Sequence, residues 1–117
     1  MNETQLSELN QIKENVINSM NTILEHSEDE FSANHVQRCE MILDSFISSA
    51  KDIGIKDLFN NIAKDTILQL NKLNNSVDKS LIDVMERSEI VKLINQASQF
   101  HGYTQENQDI TKEFREW

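Results

Sequence analysis

His35 and Cys39 stand four positions apart, the separation that places two side chains on one face of a helix. An imidazole and a thiol so placed could share a metal ion, or the imidazole could lower the thiol pKa. A zinc site needs further ligands, and the chain offers only scattered carboxylates, His26 and His101, none at a ligand spacing. The residue types therefore favour Cys39 as a small core residue and His35 as a surface polar one, with metal binding or phosphotransfer centred on His35 as an alternative. His26 and Glu30 form another pair at this spacing, but it falls across an expected turn, where both are solvated.

The templates of ordinary catalysis find no support. A serine nucleophile elbow, a phosphate-cradling loop and an EF-hand loop all require glycines, and the chain has only Gly54 and Gly102. Di-iron bundles need Glu-x-x-His on paired helices, which does not occur. Histidine phosphotransfer domains are acidic four-helix proteins with one exposed His, yet His35 lacks the Lys-Gly that usually follows it there. Twenty acids guarantee some neighbouring carboxylates, but glycosidase chemistry needs two facing each other across a cleft, and a solvated face is the simpler reading. The expectation is a protein that is not an enzyme and carries no cofactor and no metal.

Charge is the remaining signal. Twenty acidic against eleven basic side chains leave a formal charge of −9, which opposes direct contact with nucleic-acid phosphates or anionic lipid and favours a basic protein as partner. Glu25, Glu28, Asp29 and Glu30 cluster at one expected turn, and Glu40 and Asp44 lie four apart on the following helix, so together they predict an acidic patch at one end. Glu106, Asp109, Glu113 and Glu116 form a second group near the C-terminus, partly offset by Lys112 and Arg115. Ile110, Phe114 and Trp117 share one helical face there, either as a short helix sealing the molecule or as a helix offering Phe114 and Trp117 to a partner. Acids beside aromatic anchors suit an inhibitor of a basic protein, since attraction speeds encounter and buried rings hold the complex. By size and charge the chain resembles the small acidic immunity proteins that neutralise bacterial toxin nucleases, although no motif identifies a family. A homo-oligomeric regulatory or structural protein is the other reading, with a homodimer formed through a second apolar stripe.

The elements that position these residues read as all-α: a compact bundle of four to five antiparallel amphipathic helices with a short C-terminal helix. The 117 residues suit a single domain, with the bundle over 1–103 and a tail or helix over 104–117. The absence of Pro and the scarcity of Gly argue against the hairpins of a sheet. Thirteen Asn residues suit caps and solvated faces. Leu6, Leu9, Ile12, Val16, Ile17, Met20, Ile23 and Leu24 recur at three and four residues and predict the first helix. Ser27 and Glu30 have capping-box spacing for the second, with Ser32 as a competing cap. Val36, Cys39, Leu43, Phe46, Ile47 and Ala50 form its stripe, and Gly54-Ile55 is expected to close it through a left-handed glycine with Ile55 packing back. A third helix is expected from about Lys56 to Leu73, with Leu58, Phe59, Ile62, Ala63, Ile67, Leu70 and Leu73 inward.

The fourth segment changes phase. Leu81, Ile82 and Met85 define one stripe, and Ile90, Leu93, Ile94, Ala97 and Phe100 another, which favours a short helix near Asp78 to Arg87 and a new one capped at Ser88, the alternative being one helix that buries different faces in its two halves. Gly102 is expected to close the last main helix. No apolar run exceeds three residues, the N-terminal residues lack a secretory pattern, and Cys39 is the only cysteine, so a cytoplasmic protein without membrane association is expected.

Overall fold

The stripes at helical spacing become four helices: α1 (Glu3–His26), α2 (Ala33–Lys51), α3 (Lys56–Asn75) and α4 (Val84–Phe100). The computed structural model describes residues 1–26 and 30–117, and no strand occurs among them. α1 packs against both α2 and α4, and α2 packs against α3, whereas α3 and α4 barely touch. A four-helix bundle fits this arrangement. Its core draws on every helix, with Leu9, Val16 and Met20, Cys39, Leu43 and Phe46, Phe59, Ile67 and Leu70, and Ile90, Leu93 and Ile94 nearly free of solvent. Burying such side chains is worth roughly 1.5–3 kcal/mol apiece, which outweighs the weak helix propensity of the asparagines. No described helix is long and apolar enough to cross a membrane.

The helix boundaries correct several expectations. Ser32 caps α2, its amide donating to His35 Nδ1 at 3.0 Å; the expected box at Ser27 lies outside the described residues. α2 stops at Lys51, before Gly54, and Gly54 does not adopt a positive φ. Ile55 does not pack back: it is exposed and serves as the N-cap of α3, while Ile53 is the residue that leans on the core. Leu58 and Met85, both expected inside, are exposed because each lies on the outer flank of its helix.

The chain between α3 and α4 turns once, through Asp78 and Lys79, both at positive φ. The buried side chain of Asn74 accepts hydrogen bonds from the Leu81 and Ile82 amides at 3.1 and 2.9 Å. Those two bonds hold Leu81 and Ile82 in the core within a bend, so the apolar pair expected to open a short helix instead precedes α4. The break therefore falls at Asp83, not at Ser88, and Val84–Phe100 is one helix. At its other end Gly102 has φ +78°, with Tyr103 N–H donating to Ser98 O and Gly102 N–H to Gln99 O, a Schellman closure as expected.

The C-terminal residues form turns; the expected short helix is not formed. The tail is held by side chains in α3 and α4: Asn71 Nδ2 donates to Phe114 O at 2.8 Å, Glu116 N–H donates to Asn71 Oδ1 at 3.0 Å, and Ile110 N–H donates to Asn95 Oδ1 at 2.9 Å. The Asn71 and Asn95 side chains thereby satisfy backbone groups of the tail that no secondary structure pairs. The tail so bridges the two helices that otherwise scarcely meet.

Candidate functional site

The capping box that starts α4 also builds the most distinctive concavity. Asp83 caps the helix by accepting from Val84 N–H at 2.8 Å, and Glu86 Oε1 returns to accept the Asp83 amide at 3.0 Å. Glu86 Oε2 accepts from the Ser19 hydroxyl on α1, which ties the two helices together. Glu86 is only 1% exposed, an unusual depth for a carboxylate. Glu89, one turn further along, has an Oε2 shielded from water with no hydrogen-bond partner. These acids line a groove of about 660 Å³ between α1 and α4, with Asn15, Asn18, Ser19 and Thr22 on one wall and Val84 and Met85 on the other. No Lys, Arg or His is among its lining residues.

The residues of the expected acidic patch stand in differing settings. Glu25 ends α1 exposed, and Glu30 precedes α2, also exposed, with its carbonyl bound to Ser80 Oγ at 3.0 Å. Glu28 and Asp29 lie outside the described residues. Glu40 is half-buried on α2. Asp44 is engaged by Lys13 at 2.6 Å, and the contact raises the Lys13 pKa through the hydrogen bond and attraction to Asp44, against the opposing effect of burial.

The two aromatic candidates face inward. Phe114 and Trp117 are partly buried against the core, with Lys64 Nζ 4.9 Å from the centre of the Phe114 ring and the Arg115 guanidinium 5.8 Å from that of Trp117. Part of the tail's charge is also used internally. Asp109 takes hydrogen bonds from Asn95, from the Thr111 amide and from the Thr111 hydroxyl, and lies 3.5 Å from Arg115. Burial works to raise its pKa, but the bonds from Thr111 and Asn95, with the Arg115 charge, hold it below the usual carboxylate range.

The thiol–imidazole pair is divided. His35 Nδ1 is occupied at the α2 cap, whereas Cys39 is fully buried, and burial, helped by Glu40 and Glu86, pushes the thiol up to about 12. Burial thus disfavours the thiolate form that a nucleophile or metal ligand requires. No group of three or more His, Cys, Asp or Glu side chains suited to a metal ion occurs among the described residues.

Asp83, Glu86 and Glu89 were not singled out by residue type as a site. The spacing Asp83-x-x-Glu86 before an apolar run is a cap signal, and that signal marks the groove's acidic wall. Compared with known family models, with curated proteins and with solved structures, the chain matches none.

Proposed function

We propose that this chain is a small acidic binding protein that captures and neutralises a basic partner protein, most concretely as an immunity protein against a toxin nuclease. The observation that carries the reading is the groove between α1 and α4, which has carboxylates but no Lys, Arg or His among its described lining residues. In an antiparallel packing of these two helices, which the Ser19–Glu86 contact supports, Glu25 at the end of α1 lies toward the same end of the bundle as Asp83. The net charge of −9 then steers a cationic protein toward that end.

Calorimetric titration against a small basic nuclease, chosen first from any that a neighbouring gene encodes, tests the reading. A one-to-one complex is expected that suppresses nuclease activity and weakens about tenfold or more from roughly 50 to 200 mM salt. No complex at low salt overturns it.

Self-association is the second reading, and a separate feature favours it. Met41, 65% exposed on α2, and Leu68, 43% exposed on α3, are large apolar side chains left to solvent, and Met41 borders a groove between those helices. Light scattering of the purified chain separates the readings: a stable dimer favours the second, a monomer the first.

A further inference from the structure

The groove between α2 and α3 has the reverse electrostatic character. The chain has 20 acidic against 11 basic side chains, yet the only charged residues lining this groove of about 560 Å³ are Arg38 on α2 and Lys72 on α3. Neither cation has a counter-charge on its own helix, since no acid stands three or four positions from either on either side. Neither forms an ion pair among the described residues. With them the groove holds three apolar side chains: Leu73, buried, Ile42, half-buried, and Met41, 65% exposed.

We propose that this groove receives an acidic amphipathic helix of a partner protein, an interaction separate from the capture of a basic protein described above. The helix lies with an apolar stripe, its residues three and four apart, on Met41, Ile42 and Leu73. Carboxylates on the two flanks of that stripe meet Arg38 on one wall and Lys72 on the other. The lining residues run over about two turns of each helix, Arg38 to Ser45 and Gln69 to Ser76, so the seat is about 10 Å long and suits two turns of the incoming helix. The cations choose the sign of the occupant. A basic helix would bring like charges together at both walls with no acid among the lining residues to relieve them, whereas carboxylates gain a bidentate partner in the Arg38 guanidinium and a point charge in Lys72. Charge here decides fit and not approach: at −9 the molecule repels an acidic partner at long range, an effect that salt screens beyond about 10 Å, so the local pairs and the covered apolar stripe hold the complex.

The test is an NMR titration of the full chain, at about 150 mM salt to screen the long-range repulsion. The probes are an acetylated and amidated helical peptide whose leucines repeat at three and four positions between glutamates, and a counterpart carrying lysine for each glutamate. The acidic peptide should shift amides concentrated at Met41, Ile42, Gln69 and Lys72, and the lysine counterpart should bind there several-fold more weakly. Lys72→Gln should weaken the acidic peptide about fivefold to tenfold, as expected for loss of one close charge pair. Lys92→Gln on α4, which makes the same change in net charge, should alter binding less than about twofold. Met41→Glu, on the exposed rim, should abolish the concentrated shifts with the thermal unfolding curve unchanged. No binding of the acidic peptide, shifts spread over the whole surface, or equal losses in Lys72→Gln and Lys92→Gln overturn the assignment, as does equal binding of both peptides at these amides. Self-association of the chain that Met41→Glu abolishes gives the groove to a second copy and overturns the assignment too. The peptide outcomes leave the capture of a basic partner untouched, since that reading rests on the α1–α4 groove.

Discussion

Asn74 shows how much a single polar side chain decides in this molecule. Its buried carbonyl oxygen is the acceptor for two backbone amides, those of Leu81 and Ile82, and the residue is only 1% exposed. Asn74→Ala leaves two interior N–H groups without partners, so a loss of roughly 2–4 kcal/mol is expected in urea unfolding, well above the usual cost of a surface change. Cys39 supplies a second test at this scale. The unfolded thiol ionises near 9.0, whereas burial keeps the folded thiol protonated up to about 12. Between those values unfolding releases a proton, so stability is full below pH 9.0 and falls as pH rises, by up to about 1.4 kcal/mol per pH unit. Unfolding free energies measured across this alkaline range should show that slope, and Cys39→Ala should flatten it. The residue types alone made Cys39 readable as a core residue, because a lone cysteine on an apolar stripe has a simple interior role. They did not reveal Asn71, Asn74 and Asn95, since the partners that justify burying an amide lie seven to forty-five positions away.

The helices themselves followed from spacing wherever one stripe met one neighbour. Leu9, Ile12, Val16 and Met20 on α1, and Val36, Cys39, Leu43 and Phe46 on α2, are buried as their periodicity predicts. The reading failed at α4 because Leu81 and Ile82 are interior without being helical, and periodicity cannot distinguish a buried pair in a bend from the first turn of a helix. The two glycines make the same point about helix ends. Gly102 holds φ +78° in its closure, so Gly102→Ala should cost about 1 kcal/mol through the left-handed strain placed on a side chain. Gly54 lies outside that region of φ, and a methyl group there meets nothing within 4 Å. Gly54→Ala should therefore be neutral or stabilise by up to about 0.5 kcal/mol, by narrowing the unfolded ensemble. Paired thermal melts of the two variants, moving in opposite directions or with only one moving, check the assignment of which glycine closes a helix.

For the molecule as a whole, the tail completes an arrangement that the helices leave open between α3 and α4. Asp109 is central to that docking, through Asn95, Thr111 and Arg115, and its carboxyl is held below the usual range. A lowered carboxylate stabilises the docked state above its ordinary value near 3.8 and loses that effect as pH falls through the depressed one. Acid should accordingly loosen the tail before the helices melt, and the fluorescence of Trp117, the sole tryptophan, should shift toward that of a solvated indole while far-ultraviolet dichroism holds. A change coincident in both signals counts against separate release. The all-helical class and the excess of acid were legible from composition, whereas the groove was not, because its walls come from α1 and the start of α4. That long connection also governs how the molecule is made. α2 and α3 are consecutive and can meet after closing a short loop, but Ser19 must find Glu86 across 67 positions, and the entropy lost in closing a loop grows with its length. Rates of folding fall as such distant pairings multiply, so α4 is expected to join α1 late and the acidic groove to be the last surface to acquire its shape when the chain folds.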